Sequence, residues 1–328
     1  MRSINNSAAL GHHVDSYNST GNLKDTPANR ALYPKVSDDE VFASVRKLDC
    51  CFWSDDRTIL LKGDAKDVLE ELSSTGIKIN CAVTSPPYYG QRDYGVNGSI
   101  GLESSPQEFI DRLVSVFAAL RCILSDTGSL WVNIGDTYWS GKGASTGVDS
   151  KQSARRFGKR PQDYPGDGHW LRPKQLLLIP HRLAIALQDD DWLVRNDNIW
   201  VKPNPLPDPV RDRCSVTHEH VFHFVKSRWY YFDKSAVGEL NENGRILSPG
   251  DTWYVKPSAG NGNHKASYPL ELLRIPVLST TPQNGIVLDP FVGSGTTLAY
   301  AKEHGFRSIG IEINEDYCEI ARRRLLEG

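Results

Sequence analysis

Two short segments carry residue types with chemistry to offer. The first is TSPPYYG, residues 84–90. Pro86 and Pro87 lack N–H groups, so carbonyls here face outward as acceptors without competing donors. Ser85 adds a further acceptor, and Tyr88 adds a flat aromatic face. Acceptors beside an aromatic plate suit a planar amine, such as the exocyclic NH₂ of a nucleobase. The second segment is VLDPFVGSGTTLAYA, residues 287–301. Gly293 and Gly295 let the backbone approach a ligand closely, although the segment is not GxGxxG. Asp289 ends the strand before this turn and is expected beside the ligand, favouring a cation or a donor. Glu312 ends the next strand, where an acid takes two ribose hydroxyls. A double proline alone, or a glycine-rich turn alone, reads as a structural turn. Turn, acid and strand context together point to a nucleoside ligand.

The elements that position these residues read as an α/β protein. TILLKGD (58–64) is a short strand ending in an acid, and INCAVTSPPYYG (79–90) is a buried strand stopped by its prolines. A helix follows, with Ser105 as N-cap, Pro106 at its first position and Glu108 completing a capping box. Phe109, Leu113, Val116, Phe117, Leu120 and Leu124 then recur at helical spacing. SLWVNIGD (129–136) is another buried strand. IPHRLAIALQ reads as a helix, and WLVRNDNIWVKP and HEHVFHFVKS read as strands. The last segments, GIVLDP, TTLAYAKEHG, RSIGIEI and NEDYCEIARRRLLEG, form a βαβα unit, so the sheet is at least partly parallel. Residues 1–56 are polar and read as an N-terminal extension. Residues 137–172 and 235–262 interrupt the rhythm with Gly, Ser and Asn, and such long irregular stretches are usually functional or disordered.

Composition narrows the classes. The chain has 328 residues, 39% apolar and 24% charged, with a net charge of −2. A near-neutral balance means that a polyanion must be held by a local basic patch. No apolar run is long enough to span a bilayer, and the first residues lack the apolar core of a secretory signal. Six scattered cysteines without a CxxC pair argue against a disulfide framework and a thiolate zinc site, so no metal is expected. The cytoplasm is the expected compartment.

TSPPYYG and DPFVGSGTT together resemble the catalytic and cofactor motifs of the S-adenosylmethionine-dependent amino-group DNA methyltransferases. The catalytic motif comes first here, an order that resembles the family's β group. The resemblance extends over about residues 57–328, through LLKGD, GSLWVNIGDTY, IWVKPNPLPDPVRDR and HKASYP. It implies a Rossmann-like methyltransferase fold, a mostly parallel twisted sheet with helices on both faces and a circularly permuted motif order. The insertions near 137–172 and 235–262 would recognise the target. SPPY usually goes with cytosine N4, which makes cytosine the expected base and adenine N6 the alternative. Carried over by position, Asp289, Pro290, Phe291, Gly293, Gly295 and Thr296 would cradle the methionine part of the cofactor. Glu312 would hold the ribose, and Asp64 would bond the adenine amino group. His264, Lys265 and Ser267 would line the methionine end. Ser85, Pro86, Pro87 and Tyr88 would hold the target base. The family is mostly bacterial and often works beside a separate restriction endonuclease. Its members occur as monomers and as dimers, which leaves the oligomeric state open.

The implied chemistry is concrete. A nucleobase amine is a poor nucleophile because its lone pair is delocalised into the ring. Hydrogen bonds from its N–H groups to the Ser85 side chain and the Pro86 carbonyl would localise that pair. No Pro-Cys pair is present, which fits attack by an exocyclic nitrogen rather than a ring carbon. The base must leave the duplex at a cost of a few kcal/mol. Stacking on Tyr88 offsets about 1–3 kcal/mol, with Trp200 as a candidate second plate. Double-stranded DNA, once bound, would keep the protein with the nucleoid. Its expected phosphate contacts are Lys151, Arg155, Arg156, Lys159 and Arg160, then Lys202, Arg211 and Arg213. A silent DNA- or cofactor-binding protein and a small-molecule methyltransferase are the readings from other classes.

Overall fold

The alternation of apolar residues along the strands is realised as one mixed sheet in the computed structural model, which describes residues 38–91, 96, 98–140, 161–205, 210–258 and 268–327. Its strands are β1 (Cys51–Ser54), β2 (Thr58–Lys62), β3 (Ile79–Thr84), β4 (Leu124–Ile134), β5 (Leu193–Val201), β6 (His218–Val225), β9 (Thr252–Tyr254), β10 (Ile286–Asp289) and β11 (Arg307–Glu312). β7 (Glu239–Leu240) and β8 (Ile246–Leu247) form a separate hairpin. The sheet order is β1-β2-β11-β10-β3-β4-β6-β5-β9. The five strands from β2 to β4 are parallel. β1 is antiparallel at one edge, and β6 runs antiparallel between β4 and β5.

The helices are α1 (Asp38–Val45), α2 (Ala65–Ser74), α3 (Pro106–Ile123), α4 (Ile179–Asp189), α5 (Arg274–Thr280), α6 (Thr296–Glu303) and α7 (Glu315–Glu327). They cover both faces of the sheet, as expected. On one face Ile59, Leu61, Ala82, Leu130, Val132 and Leu288 share a core with Leu72, Phe109, Phe117 and Leu183 of α2, α3 and α4. Their sequence neighbours point the other way. Cys81, Val83, Trp131 and Val287 meet Val277 of α5 and Tyr300 of α6, and Leu60 meets Leu298 and Ala321 of α6 and α7. Burying each such aliphatic or aromatic side chain is worth about 1.5–3 kcal/mol. α3 starts as its sequence dictates: the Ser105 side chain accepts from the Glu108 N–H at 3.2 Å. The Glu108 carboxylate reaches one residue beyond the expected partner and accepts from the Ser104 N–H and hydroxyl. Among the described residues, no helix is long and apolar enough to cross a membrane.

Two expected boundaries are corrected. Residues 38–56 are not an appendage, because β1 pairs with β2 and Phe42 and Val45 are buried in the main core. Residues 235–262 are not irregular throughout, because β9 joins the sheet edge beside β5 and its Trp253 is buried. In the other interruption, Trp139 and Gln162 are buried, and residues 141–160 lie outside the described residues.

The topology also creates the crevice. β3 leads through α3 to β4 on one side, and β10 leads through α6 to β11 on the other. Chain direction across the sheet therefore reverses between β3 and β10, and ligands of open α/β sheets bind at such a point, outside the carboxyl ends of the strands.

Candidate active site

A cleft opens at the carboxyl ends of β2, β11, β10 and β3. Asp64, Ser85, Pro87, Phe291, Gly293 and Glu312 line it, with Pro290, Thr296, Ile100, Ile313, Tyr268 and Tyr317 completing the walls. The two sequence segments therefore face one cavity.

The glycine-rich turn is held from below. Gly293 has φ +52°, and its N–H donates to Glu312 Oε2 at 2.9 Å, while the Asn314 N–H donates to Oε1 at 2.9 Å. A Cβ on Gly293 would meet nothing within 4 Å, so backbone conformation rather than crowding requires glycine there. Gly295 has a different job from the one expected. Its φ is +82°, and a Cβ would lie 3.0 Å from the Ala321 Cβ, so this glycine lets α6 pack on α7. Thr296 is buried, and its hydroxyl accepts from Arg324 at 2.6 Å. Burial lifts the Glu312 carboxyl above its ordinary value of 4.5, against the backbone bonds from Asn314, Gly293 and Ile313 that lower it. Asp64 lines the cleft as the N-cap of α2, with Oδ1 accepting from the Lys66 and Asp67 N–H groups.

Asp289 corrects the expectation that it faces the ligand. It is 1% exposed and absent from the cleft walls. Its Oδ1 accepts from the Thr84 hydroxyl at 2.7 Å and the Phe291 N–H at 3.1 Å. Its Oδ2 accepts from the Thr297 hydroxyl at 2.5 Å and the Tyr268 hydroxyl at 3.1 Å. Burial raises its pKa, and these donors hold it back. Asp289 thus ties the end of β3 to β10 and α6, and aims Tyr268 at the cleft. Tyr268 was not singled out from the sequence.

The loop after β3 is fixed on both sides. Pro86 is buried, while Ser85 and Pro87 reach the cleft. Behind the loop, Gln162 Nε2 donates to the Tyr89 carbonyl at 3.2 Å. Tyr88 sits against Gly135, where a Cβ would come within 2.9 Å of its ring. The Tyr88 hydroxyl donates to Glu219 Oε2 at 2.5 Å and accepts from the Ser85 hydroxyl at 3.3 Å. Asn133 Oδ1 lies 3.3 Å from the same hydroxyl, and Asn133 Nδ2 donates to Glu219 Oε2 at 3.0 Å and to the His220 carbonyl at 3.2 Å. Lys202 pairs with Glu219 Oε1.

Several remaining assignments move. Trp200 is 4% exposed and donates its indole N–H to the Val255 carbonyl at 2.8 Å, so it is a core residue and not a stacking plate. Lys202 is held by Glu219 with its ammonium 4.7 Å from the Trp200 ring centre, and is not a free phosphate contact. Arg213 lies over the Tyr138 ring at 4.1 Å, and Arg211 is exposed. Lys151, Arg155, Arg156, Lys159, Arg160, His264, Lys265 and Ser267 lie outside the described residues. Glu219 and Asn133 were missed. Their signal was present: an Asn inside the apolar run of SLWVNIGD, and an acid just before the apolar run of HEHVFHFV.

With this geometry in view, the comparisons with known proteins decide the family. The model of the N6/N4 DNA methylase family matches residues 79–323. This chain is a member of that DNA methylase family. Its relatives include the type II methyltransferase M.Cfr9I of Citrobacter freundii, 44% identical over 266 residues, covering 81% of this chain and 87% of the relative. The type II methyltransferase M.SmaI of Serratia marcescens is 39% identical over 269 residues, covering 81% and 90%. Among solved structures, the PvuII cytosine-N4-specific DNA methyltransferase superposes with a TM-score of 0.59 at 21% identity, covering 82% of this methylase and 86% of that chain. The M1.HpyAVI complex with S-adenosylmethionine superposes with a TM-score of 0.54 at 19% identity, covering 82% and 98%. The methylase thus shares the fold of these enzymes, with its SPPY loop and its glycine-rich turn on one cleft.

Proposed function

We propose that this methylase transfers a methyl group from S-adenosylmethionine to the exocyclic N4 of cytosine in duplex DNA, as the modification partner of a separate restriction endonuclease. The observation that carries this reading is the shared cleft: Ser85 and Pro87 on one wall, Gly293 and Glu312 on another. The cleft fits the cofactor by its chemistry. Ile100, Phe291, Ile313 and Tyr317 offer apolar faces, and Asp64 and Glu312 offer carboxylates. No lysine, arginine or histidine is among the described lining residues, which suits a cationic sulfonium and disfavours a pyrophosphate-bearing dinucleotide. Glu312 would take the ribose hydroxyls, and Asp64 the adenine amino group. When bound, S-adenosylmethionine supplies an electrophilic methyl group, which the base amine takes as the thioether departs and one proton leaves the nitrogen.

The chain's own residues prepare that amine. The Ser85 hydroxyl accepts one of its N–H bonds, and the Pro86 carbonyl accepts the other. Both pull the nitrogen towards tetrahedral geometry and localise its lone pair. Holding the amine in near-attack geometry supplies much of the rate. Cytosine is favoured by the SPPY loop and by the likeness to a cytosine-N4-specific enzyme, and the type II relatives favour a restriction–modification setting. Such an enzyme works in the cytoplasm, on the DNA itself. Arg211 and the basic run 151–160 are proposed phosphate contacts.

The test is methyl transfer from labelled S-adenosylmethionine to unmethylated DNA, followed by mass spectrometry of the nucleosides. 4-Methylcytosine is expected. 6-Methyladenine would overturn the choice of base and leave the reaction standing. Ser85→Ala should lower transfer by about 100-fold, as loss of one preorganised hydrogen-bond partner does elsewhere, with cofactor affinity unchanged.

A further inference from the structure

We infer that Glu219 is a positioning residue that fixes the direction of the hydrogen-bond chain ending at Ser85, so that Ser85 meets the target amine as an acceptor. This rests on the amine reading above, but not on which base carries the amine.

A carboxylate only accepts hydrogen bonds. Glu219 Oε2 accepts from the Tyr88 hydroxyl at 2.5 Å and from Asn133 Nδ2 at 3.0 Å, and Lys202 pairs with Oε1. These donors come from the catalytic loop, from β4 and from the residue after β5. Tyr88 has a single hydroxyl hydrogen. The short bond to an acceptor-only group holds that hydrogen on Glu219, ahead of the 3.3 Å contact with Asn133 Oδ1. The Tyr88 oxygen is then left to accept, as it does from the Ser85 hydroxyl at 3.3 Å. Ser85 uses its one hydrogen there, and its lone pairs remain for the cleft that it lines. Asn133 obeys the same carboxylate: with Nδ2 on Glu219 and the His220 carbonyl, its oxygen faces Tyr88.

A serine without this chain is free to turn its hydrogen towards the base. It would then donate to the amine lone pair that must attack, which opposes the reaction. The charge at Glu219 is thus transmitted to Ser85 as a direction, through the Tyr88 hydroxyl.

The experiment uses the full chain and four proteins besides wild type: Glu219→Gln, Glu219→Asp, Tyr88→Phe and the Glu219→Gln/Tyr88→Phe double variant. Methyl incorporation into DNA gives kcat and KM, and calorimetry with S-adenosylmethionine reports an intact cofactor site. Glu219→Gln should lower kcat by about tenfold or more, the worth of one hydrogen bond, with cofactor affinity kept. Tyr88→Phe should do the same, and the double variant should be no slower than either single one, because all three break one chain. Glu219→Asp keeps an acceptor-only group and should recover most of the rate. Three results would each overturn the inference: Glu219→Gln within twofold of wild type, losses that multiply in the double variant, or a higher KM for DNA at unchanged kcat. Should Glu219→Gln fail to fold, Tyr88→Phe carries the test: kcat should fall by about tenfold with cofactor affinity kept, and a rate within twofold of wild type would overturn the inference. If the wild-type protein itself transfers no methyl to DNA, the amine reading falls and takes this inference with it.

Discussion

Two acids flank the loop after β3, and they are held in opposite ways. Asp289, at the end of β10, is buried and takes four neutral donors. Glu219, on β6, takes a tyrosine, an asparagine and the ammonium of Lys202. Asp289 fastens strand ends and a helix to each other beneath the glycine-rich turn. Glu219 fastens a chain whose last member faces the cleft. The difference teaches that two carboxylates bonded to either end of one loop can be tied into different networks, one joining strand ends and a helix, the other a chain of side chains that reaches the cleft.

The sharpest way to break the comparison is Asp289→Ala. It would strand the Thr84, Thr297 and Tyr268 hydroxyls and the Phe291 N–H. Each unmet buried group costs about 1–3 kcal/mol, so the urea unfolding midpoint should fall by far more than for any Glu219 variant. Equal midpoints for the two sites would erase the distinction. Glu312→Gln should show a middle effect, on ligand binding: affinity for S-adenosylmethionine falls by about tenfold, the scale of a charge-assisted hydrogen bond, as calorimetry would read. The pH dependence follows from burial, which raises the Glu312 pKa above 4.5. The ionised form is the acceptor, so wild-type affinity should decline as pH falls through that raised value, beginning above pH 4.5. Glu312→Gln should lack that decline. The smallest effect is expected from Tyr268→Phe. It removes one of the four donors on Asp289 and should cost about 1 kcal/mol in unfolding, with kcat nearly unchanged.

The residues that read most easily were those whose pattern repeats. β2, β3 and β10 carry runs of three apolar residues, β11 alternates isoleucines with small residues, α3 shows helical spacing and a cap, and turns and prolines punctuate them. α1 and β1 were hidden because, of residues 39–56, only Phe42 and Val45 are fully buried, and β1 is four residues long. β9 was hidden for a similar reason: Thr252–Tyr254 is an edge strand of three residues among glycines and asparagines. In the site, SPPY and the glycine-rich turn were legible as motifs, because backbone constraints leave a mark on composition. Partnerships across strands leave none. Tyr88 and Glu219 lie 131 residues apart in the chain, and only the sheet order brings them together. The same blindness made Trp200 a stacking plate and Lys202 a DNA contact, when one is core and the other is paired with Glu219.

β10 and β11 follow every other strand in the chain, yet they fill the slot between β2 and β3. During synthesis the earlier strands therefore emerge with a gap at the centre of their sheet. β2 cannot find its parallel neighbour, nor β3 its second one, until those last two strands leave the ribosome. Contacts of such long sequence separation form slowly and expose unpaired strand edges in the meantime. A nascent chain halted before Ile286 would hold the loop of Ser85 without its central strand, and would be a client for chaperones rather than a partly active enzyme.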